Sequence, residues 1–293
     1  MRIVFIGTVE FSLRALERLV SLGADIVGIC TLKESKFNAD YVDLTSVAVA
    51  LGIPYLYADD INSPEALTWI KSKAPDVIFC FGWSKLLKQE LLTLAPLGVV
   101  GFHPAALPAN RGRHPIIWSL VLGLDKTAST FFFMDAGADS GDILSQREIL
   151  ISDQDDASTL YNKVTEMALS QIEEFLPTLL SGSAQRVKQS PLQANSWRKR
   201  GKTDGVIDWR MSAKSIDNLV RGLSKPYVGA HFLADGKEIK VWKTMLCSPV
   251  KNNIEPGKVL EHSAHGPVVK CGEGAICLIE TDPTFKPMVG DYL

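Results

Sequence analysis

Arg2-Ile3-Val4-Phe5-Ile6-Gly7 opens the chain, and Ser12–Leu22 follows with Leu13, Leu16, Leu19 and Val20 on one helical face before Gly23. A short apolar run ending at glycine reads as a strand buried on both faces. The 3.6-residue spacing after it reads as the helix that covers that strand. The alternation repeats outward. Ile26–Thr31, Tyr55–Tyr57, Val77–Phe81 and Val99–Phe102 are further strand-like runs, with helical stretches near 42–51, 63–73 and 85–94. Apolar strands separated by helices predict an α/β fold: a Rossmann-like, mostly parallel sheet with flanking helices. Such sheets bind ligands beyond the carboxyl ends of their strands, which singles out Gly7-Thr8, Gly82-Trp83 and His103-Pro104.

Further on, Pro115–Leu122 reads as a helix, and Thr130–Met134 and Ile143–Ile151 as strands. Asp156 or Ser158 caps a long helix striped by Leu160, Val164, Met167, Ile172 and Leu176, ending near Gly182. Residues 183–203 are polar, with Pro191, Gly201 and the run Arg198-Lys199-Arg200, the composition of a linker. After a helix at Ala213–Leu223, short strands at 229–234, 238–246, 257–260, 267–271 and 275–280 have the spacing of a small OB-like β-barrel. The expected organisation is a first domain over 1–185, a linker over 186–203 and a C-terminal barrel domain over 204–293.

The 293 residues are 46% hydrophobic, with 31 basic against 33 acidic side chains, which excludes a disordered chain. No apolar run approaches the roughly 18–20 residues of a membrane span. The apolar run at Ile3–Ile6 is too short for a secretory leader, so the expectation is a cytoplasmic protein with no membrane partner. Five cysteines without CxxC spacing read as free thiols rather than disulfides or metal ligands. Charge is unevenly spread. Residues 1–189 carry 16 basic against 22 acidic side chains, net −6, and residues 190–293 carry 15 against 11, net +4. Proteins that read nucleic acid show a basic face in the domain that does so; the acidic larger part argues for a small-molecule substrate.

His103 closes the fifth strand and leads through Pro104-Ala105-Ala106-Leu107-Pro108 to Asn110-Arg111-Gly112-Arg113-His114-Pro115, a proline-rich loop at the expected ligand edge. Imidazole accepts and returns protons near neutral pH; a histidine that merely ends a strand is the ordinary alternative. Met134-Asp135-Ala136-Gly137-Ala138-Asp139-Ser140-Gly141-Asp142 opens a strand into an acidic, glycine-rich loop. A carboxylate from it beside His103 would orient the ring and stabilise its protonated form; alone it also reads as an acidic turn. Neither GxGxxG nor a P-loop follows the first strand, and EF-hand spacing is absent.

Together these blocks resemble the folate-dependent formyltransferase family. The resemblance covers most of the chain: Ile6-Gly7-Thr8 with Glu10-Phe11-Ser12; His103-Pro104, Leu107-Pro108, Arg111-Gly112, Pro115-Ile116 and Trp118; and Met134-Asp135, Gly137, Asp139 and Gly141. Asp208-Trp209 and Asn218–Gly222 extend it into the second half. It implies transfer of a formyl group from 10-formyltetrahydrofolate to a primary amine. His103 would take the amine proton or stabilise the oxyanion, with Asp139 holding its ring. The implied cofactor site is Phe81, Gly82, Trp83, Leu86, Leu107, Asp135, Ala138 and Asp139. The implied substrate site is Thr8, Phe11, Ser12, Arg111, Arg113 and His114, with no metal. Two positions depart from the pattern: Ala128 stands where the family often has Gly, away from the expected site, and Gly101 stands where the family carries Asn, two residues before the His. Losing such a donor raises a barrier by on the order of 3–4 kcal/mol. A backbone N–H, Asn110, or a water in the space above Gly101 are the substitutes; a slow or inactive protein is the alternative.

Members of that family that formylate tRNA carry a long basic loop after the second strand. Here Thr31–Asp43 holds two lysines against three acids, net −1, a poor clamp for phosphates. The expected acceptor is the amine of a nucleotide-linked amino sugar, not nucleic acid. Arg111, Arg113 and His114 suit its phosphates or a carboxylate. Methionyl-tRNA as acceptor, a non-catalytic folate-binding protein and a formyl-folate hydrolase are the alternatives, and the C-terminal domain is open to a homodimer role.

Overall fold

Strands β1 (Arg2–Ile6), β2 (Asp25–Thr31), β3 (Tyr55–Tyr57), β4 (Val77–Cys80) and β5 (Val99–His103) alternate with helices α1 (Glu10–Ser21), α2 (Thr45–Ala50), α3 (Pro64–Ser72) and α4 (Gln89–Leu92). This is a computed structural model that describes residues 1–35, 39–247 and 253–293. There follow β6 (Arg111–Gly112), α5 (Pro115–Val121), β7 (Lys126–Phe133), β8 (Ile143–Leu150), α6 (Ala157–Leu180), β9 (Ser196–Trp197) and α7 (Ala213–Leu223). The remaining strands are β10 (Ala230–Ala234), β11 (Lys237–Cys247), β12 (Val259–Ser263), β13 (Gly266–Lys270) and β14 (Ala275–Asp282).

Two units emerge, each discontinuous in sequence. One comprises Met1–Gly112, Thr127–Ile149 and Lys163–Trp197; the other comprises Arg113–Lys126, Leu150–Asn162 and Arg198–Leu293. Residues 113–126 and 150–162, within the first domain on a sequence reading, thus cluster with the C-terminal strands.

The first unit is built on the sheet β3-β2-β1-β4-β5-β7-β8, in which β1 to β5 run parallel and β7 runs antiparallel to β5. Its inner strands β1, β4 and β5 are apolar over Ile3–Ile6, Val77–Cys80 and 99–102 because both faces are covered. Successive side chains point to opposite faces. Phe5, Phe79, Phe81 and Phe131 go to one side, where they meet Phe11 of α1 and Phe175 of α6. Val4, Ile6, Ile78 and Cys80 go to the other, packed with Ala66 and Ile70 of α3 and with Leu91. The strand order reverses between β1 and β4, and ligands of open α/β sheets bind at such a reversal.

The second unit carries the predicted small β-domain as a five-stranded antiparallel sheet, β10-β11-β14-β13-β12. Among the described residues no ladder joins β12 to β10. Helix α7 lays Ile216, Leu219, Val220 and Leu223 on this sheet. Gly222 lets α7 close on α5, since a Cβ there would stand 2.9 Å from Val121 Cγ2. All five cysteines are free, four of them buried, and burial pushes the thiols of Cys30 and Cys271 up to about 12. Among the described residues no helix is long and apolar enough to cross a membrane, and no group of three His, Cys, Asp or Glu side chains could hold a metal ion.

Candidate active site

At the reversal point the ends of β1 and β4 are tied together by Ser12. Its hydroxyl accepts from the N–H groups of Thr8 (3.1 Å) and Val9 (3.2 Å) and donates to the carbonyl of Phe81 (2.6 Å). That uses its one proton and both lone pairs, so Ser12 is a fastener inside the unit rather than a substrate ligand. Phe11 is likewise interior, its ring centroid 4.2 Å from that of Phe102. Gly82 follows β4 with φ 68°, and a Cβ there would fall 2.2 Å from Val9 Cγ2. Thr8 and Trp83 stand beside this junction, and each buries a polar atom, Thr8 Oγ1 and Trp83 Nε1, without a protein partner. An acceptor-capable hydroxyl and an indole donor fit a ligand edged with both kinds of group, as a pterin is.

His103 ends β5 almost fully buried. Its Nε2 lies 2.7 Å from the carbonyl oxygen of Asn110, and its Nδ1 lies 3.7 Å from Asp139 Oδ2. A carbonyl only accepts, so Nε2 carries the proton and Nδ1 of the neutral ring presents its lone pair towards Asp139. Asn110 thus holds the ring by a hydrogen bond, while the Asp139 carboxylate faces Nδ1 at ion-pair distance. Asp139 in turn accepts the Gly112 N–H on Oδ2 at 2.8 Å.

Gly101 lies two residues before His103 on the same face of β5. The space above it is not empty. A Cβ there would meet Met134 Cγ at 2.8 Å, Met134 Sδ at 3.0 Å and Phe132 Cε1 at 3.2 Å. Met134 thus stands where a side chain at position 101 would begin.

The other candidates divide. Asp135 spends one carboxylate oxygen inside its own loop, on the Gly137 N–H (3.0 Å) and the Ser140 hydroxyl (2.7 Å), while Ala138 is exposed. Leu86 is exposed, and its carbonyl is held by the Asn62 amide. Leu107 is buried, its carbonyl accepting from Gln146. Arg111 is engaged by a residue that sequence reasoning missed, giving Nε and Nη2 to Gln189 Oε1 at 3.2 and 2.7 Å. Gln189 Nε2 also donates to the carbonyls of Asp139 (2.8 Å) and Gly141 (2.7 Å). Asn195 was missed too: its Oδ1 accepts the Asn110 N–H at 2.6 Å. Nothing in an unpatterned polar stretch marks these two residues in advance.

Arg113 and His114 belong to the second unit. His114 begins α5 at φ 56°, and its Nδ1 is buried without a partner. Burial first, then Arg113, Arg200 and Lys199, hold its imidazole below the ordinary value. Arg200 lies over the Trp118 ring at 4.6 Å, and Trp118 donates its indole N–H to the Arg198 carbonyl.

A histidine at the carboxyl edge of an α/β sheet with a carboxylate beside it suits a proton-moving group transfer, and the comparisons specify the class. The family profile described as "Formyl transferase" matches residues 1–176, and "Formyl transferase, C-terminal domain" matches 199–291. The chain belongs to the formyltransferase family. It is 35% identical over 300 residues to the methionyl-tRNA formyltransferase of Caldanaerobacter subterraneus subsp. tengcongensis, covering 100% of this chain and 96% of that one. It is 32% identical to the methionyl-tRNA formyltransferase of Acetivibrio thermocellus, with the same coverage. Among solved structures, the sugar 3N-formyltransferase WlaRD, studied with dTDP and 5-N-formyl-THF, superposes with a TM-score of 0.73 at 17% identity, over 97% of this chain and 99% of its own. That likeness concerns the fold. The family's formyl donor is 10-formyltetrahydrofolate.

Proposed function

We propose that this formyltransferase moves a formyl group from 10-formyltetrahydrofolate to the amine of methionyl-tRNA. The observation that carries the acceptor is identity across the whole chain, 35% and 32%, with two proteins of that name. The net charge of +4 over residues 190–293 suits a polyanion as well. This replaces the amino sugar, and the exclusion of nucleic acid, expected from charge alone.

The folate, when bound, would supply the formyl carbon that the amine attacks, and would leave as tetrahydrofolate when its own C–N bond to that carbon breaks and its nitrogen takes up the proton the amine sheds. Thr8, Gly82, Trp83 and the exposed loop Asp135–Ala138 would hold it at the carboxyl edge of the sheet. The amine must shed a proton as the C–N bond forms. His103 Nδ1 takes it, because Nε2–H is already committed to Asn110. The imidazolium then has both N–H groups met, Nε2 by the carbonyl and Nδ1 by the Asp139 carboxylate. With Met134 over Gly101, Asn110 and backbone N–H groups are the protein donors left for the oxyanion.

The test offers the full-length protein 10-formyltetrahydrofolate with methionyl-initiator-tRNA, or with a panel of nucleotide-linked amino sugars, or with no amine. Formyl-methionine recovered from the tRNA supports the proposal. Formylation confined to a sugar reassigns the acceptor. Formate release without amine indicates a hydrolase, and folate binding without turnover a non-catalytic protein.

The sugar reading keeps one observation in its favour, the net charge of −1 over Thr31–Asp43. Lys36, Phe37 and Asn38 of that loop lie outside the described residues.

A further inference from the structure

Residues 187–197 have a linker's composition, yet Val187, Gln189, Asn195 and the strand β9 bond to the two loops that carry His103 and Asp139 or to the strand beside them. Val187 exchanges two backbone hydrogen bonds with Ile143, at 2.8 and 2.9 Å. Gln189 follows, then Asn195, and β9 (Ser196–Trp197) pairs in parallel with β6 (Arg111–Gly112). We propose that this segment is a positioning strap, and that Gln189 is the residue that sets Asp139 against His103 for the transfer proposed above, on which this inference rests.

The need for such a residue follows from where Asp139 sits. It has φ 54°, in the left-handed region that side chains other than Gly and Asn seldom adopt, and it ends a loop whose residues 135–138 are exposed. Packing does not hold that loop; hydrogen bonds must. Gln189 supplies them on both sides of Ser140, through the carbonyls of Asp139 and Gly141, while its own carbonyl oxygen takes the fork of Arg111. All of its amide's bonding positions face these groups. Gly112, next to Arg111, holds the Asp139 carboxylate. One short strand therefore fixes that residue's carboxylate directly and its backbone by way of Gln189. Asn195 does the corresponding work for the histidine: its side chain and backbone carbonyl take the N–H groups of Asn110 and Arg111, and Asn110 bonds the ring. A glutamate at 189 could keep Arg111 but could not donate to the two carbonyls.

The test is a double-mutant cycle on the full chain. Gln189→Ala and Gln189→Glu should each lower kcat at least tenfold, with KM for the acceptor changed less than threefold. In the Asp139→Asn background either change should cost less than a further threefold, because the group it positions is already lost. Penalties that multiply would show a general structural role and overturn the proposal. A second measurement is independent of turnover. The imidazole nitrogens of His103, followed by NMR in 15N-histidine-labelled protein, should shift in both Gln189 variants, while those of His262 and His265 stay in place. Unmoved His103 signals overturn the strap whichever acceptor is correct. A wild-type protein that formylates none of the amines offered defeats only the functional reading, and the NMR result still decides this one.

Discussion

Placing a methyl group on Gly101 tests whether Met134 stands where a side chain at that position would begin. The new Cβ would stand 2.8 Å from Met134 Cγ, 3.0 Å from its Sδ and 3.2 Å from Phe132 Cε1, against ordinary carbon contacts of about 3.5–4.0 Å. Overpacking of this kind costs about 1–3 kcal/mol. Replacing a strand glycine returns roughly 0.5–1 kcal/mol of chain entropy. Gly101→Ala should therefore destabilise the first unit by about 0.5–2 kcal/mol. In a Met134→Ala background most of the clash is gone, and the same substitution should become neutral or slightly stabilising. Urea unfolding of all four proteins reads this, with the transition of each unit followed separately because a two-unit chain need not unfold in one step. An equal penalty for Gly101→Ala in both backgrounds would refute the packing argument. If the reversal is found, Gly101→Asn with Met134→Ala becomes the variant that returns an amide beside His103.

Other outcomes follow from the same geometry. His103→Ala and Asp139→Ala should each lower turnover at least a hundredfold with the fold intact, by steady-state kinetics and circular dichroism; near-wild-type rates would remove both from the mechanism. Ser12→Ala strands two N–H groups and a carbonyl inside the first unit and should cost about 2–4 kcal/mol in denaturant unfolding. A loss of activity at unchanged stability would instead return Ser12 to the substrate. His114 should make the second unit sensitive to mild acid. Its folded imidazole protonates below 6.5, the unfolded one near it, so the unfolded chain takes up the proton first and stability falls as pH drops below about 6.5. His114→Asn, which tolerates the left-handed backbone there, should flatten that slope in thermal unfolding.

The parallel sheet was legible because Ile3–Ile6 and Val77–Cys80 are buried on both faces, and continuous apolarity is the signal of that burial. His103 was legible because it ends a parallel strand at the edge where such sheets bind ligands, and Asp139 because it sits in an acidic, glycine-rich loop; β7 runs antiparallel to β5, so the edge rule does not itself reach Asp139. Phe11 and Ser12, expected as substrate contacts, are buried and engaged within the first unit, because a motif marks residues that matter without saying whether they touch ligand or hold the fold. The contents of the space above Gly101 depend on how Met134 leaves β7, which no local pattern encodes. Gln189 and Asn195 act through single hydrogen bonds to distant backbone, and such bonds have no periodicity. The charge argument and the relatives point to different acceptors: charge summed over residues 1–189 says little about which surface meets a polyanion.

The strap also changes where this protein can be cut. The first family profile stops at residue 176, and the compositional boundary falls at 185, both ahead of Gln189 and Asn195. A fragment trimmed to either limit would keep the sheet, the histidine and the aspartate, yet lose the residues that hold Asn110 and the Asp139 loop. Expressed alone, it would present an assembled fold around an unregistered pair, and its inactivity would be mistaken for a missing C-terminal contribution. A dissection that carries the chain through Trp197 restores the strap, while residues 113–126 and 150–162 still lack the C-terminal strands they cluster with.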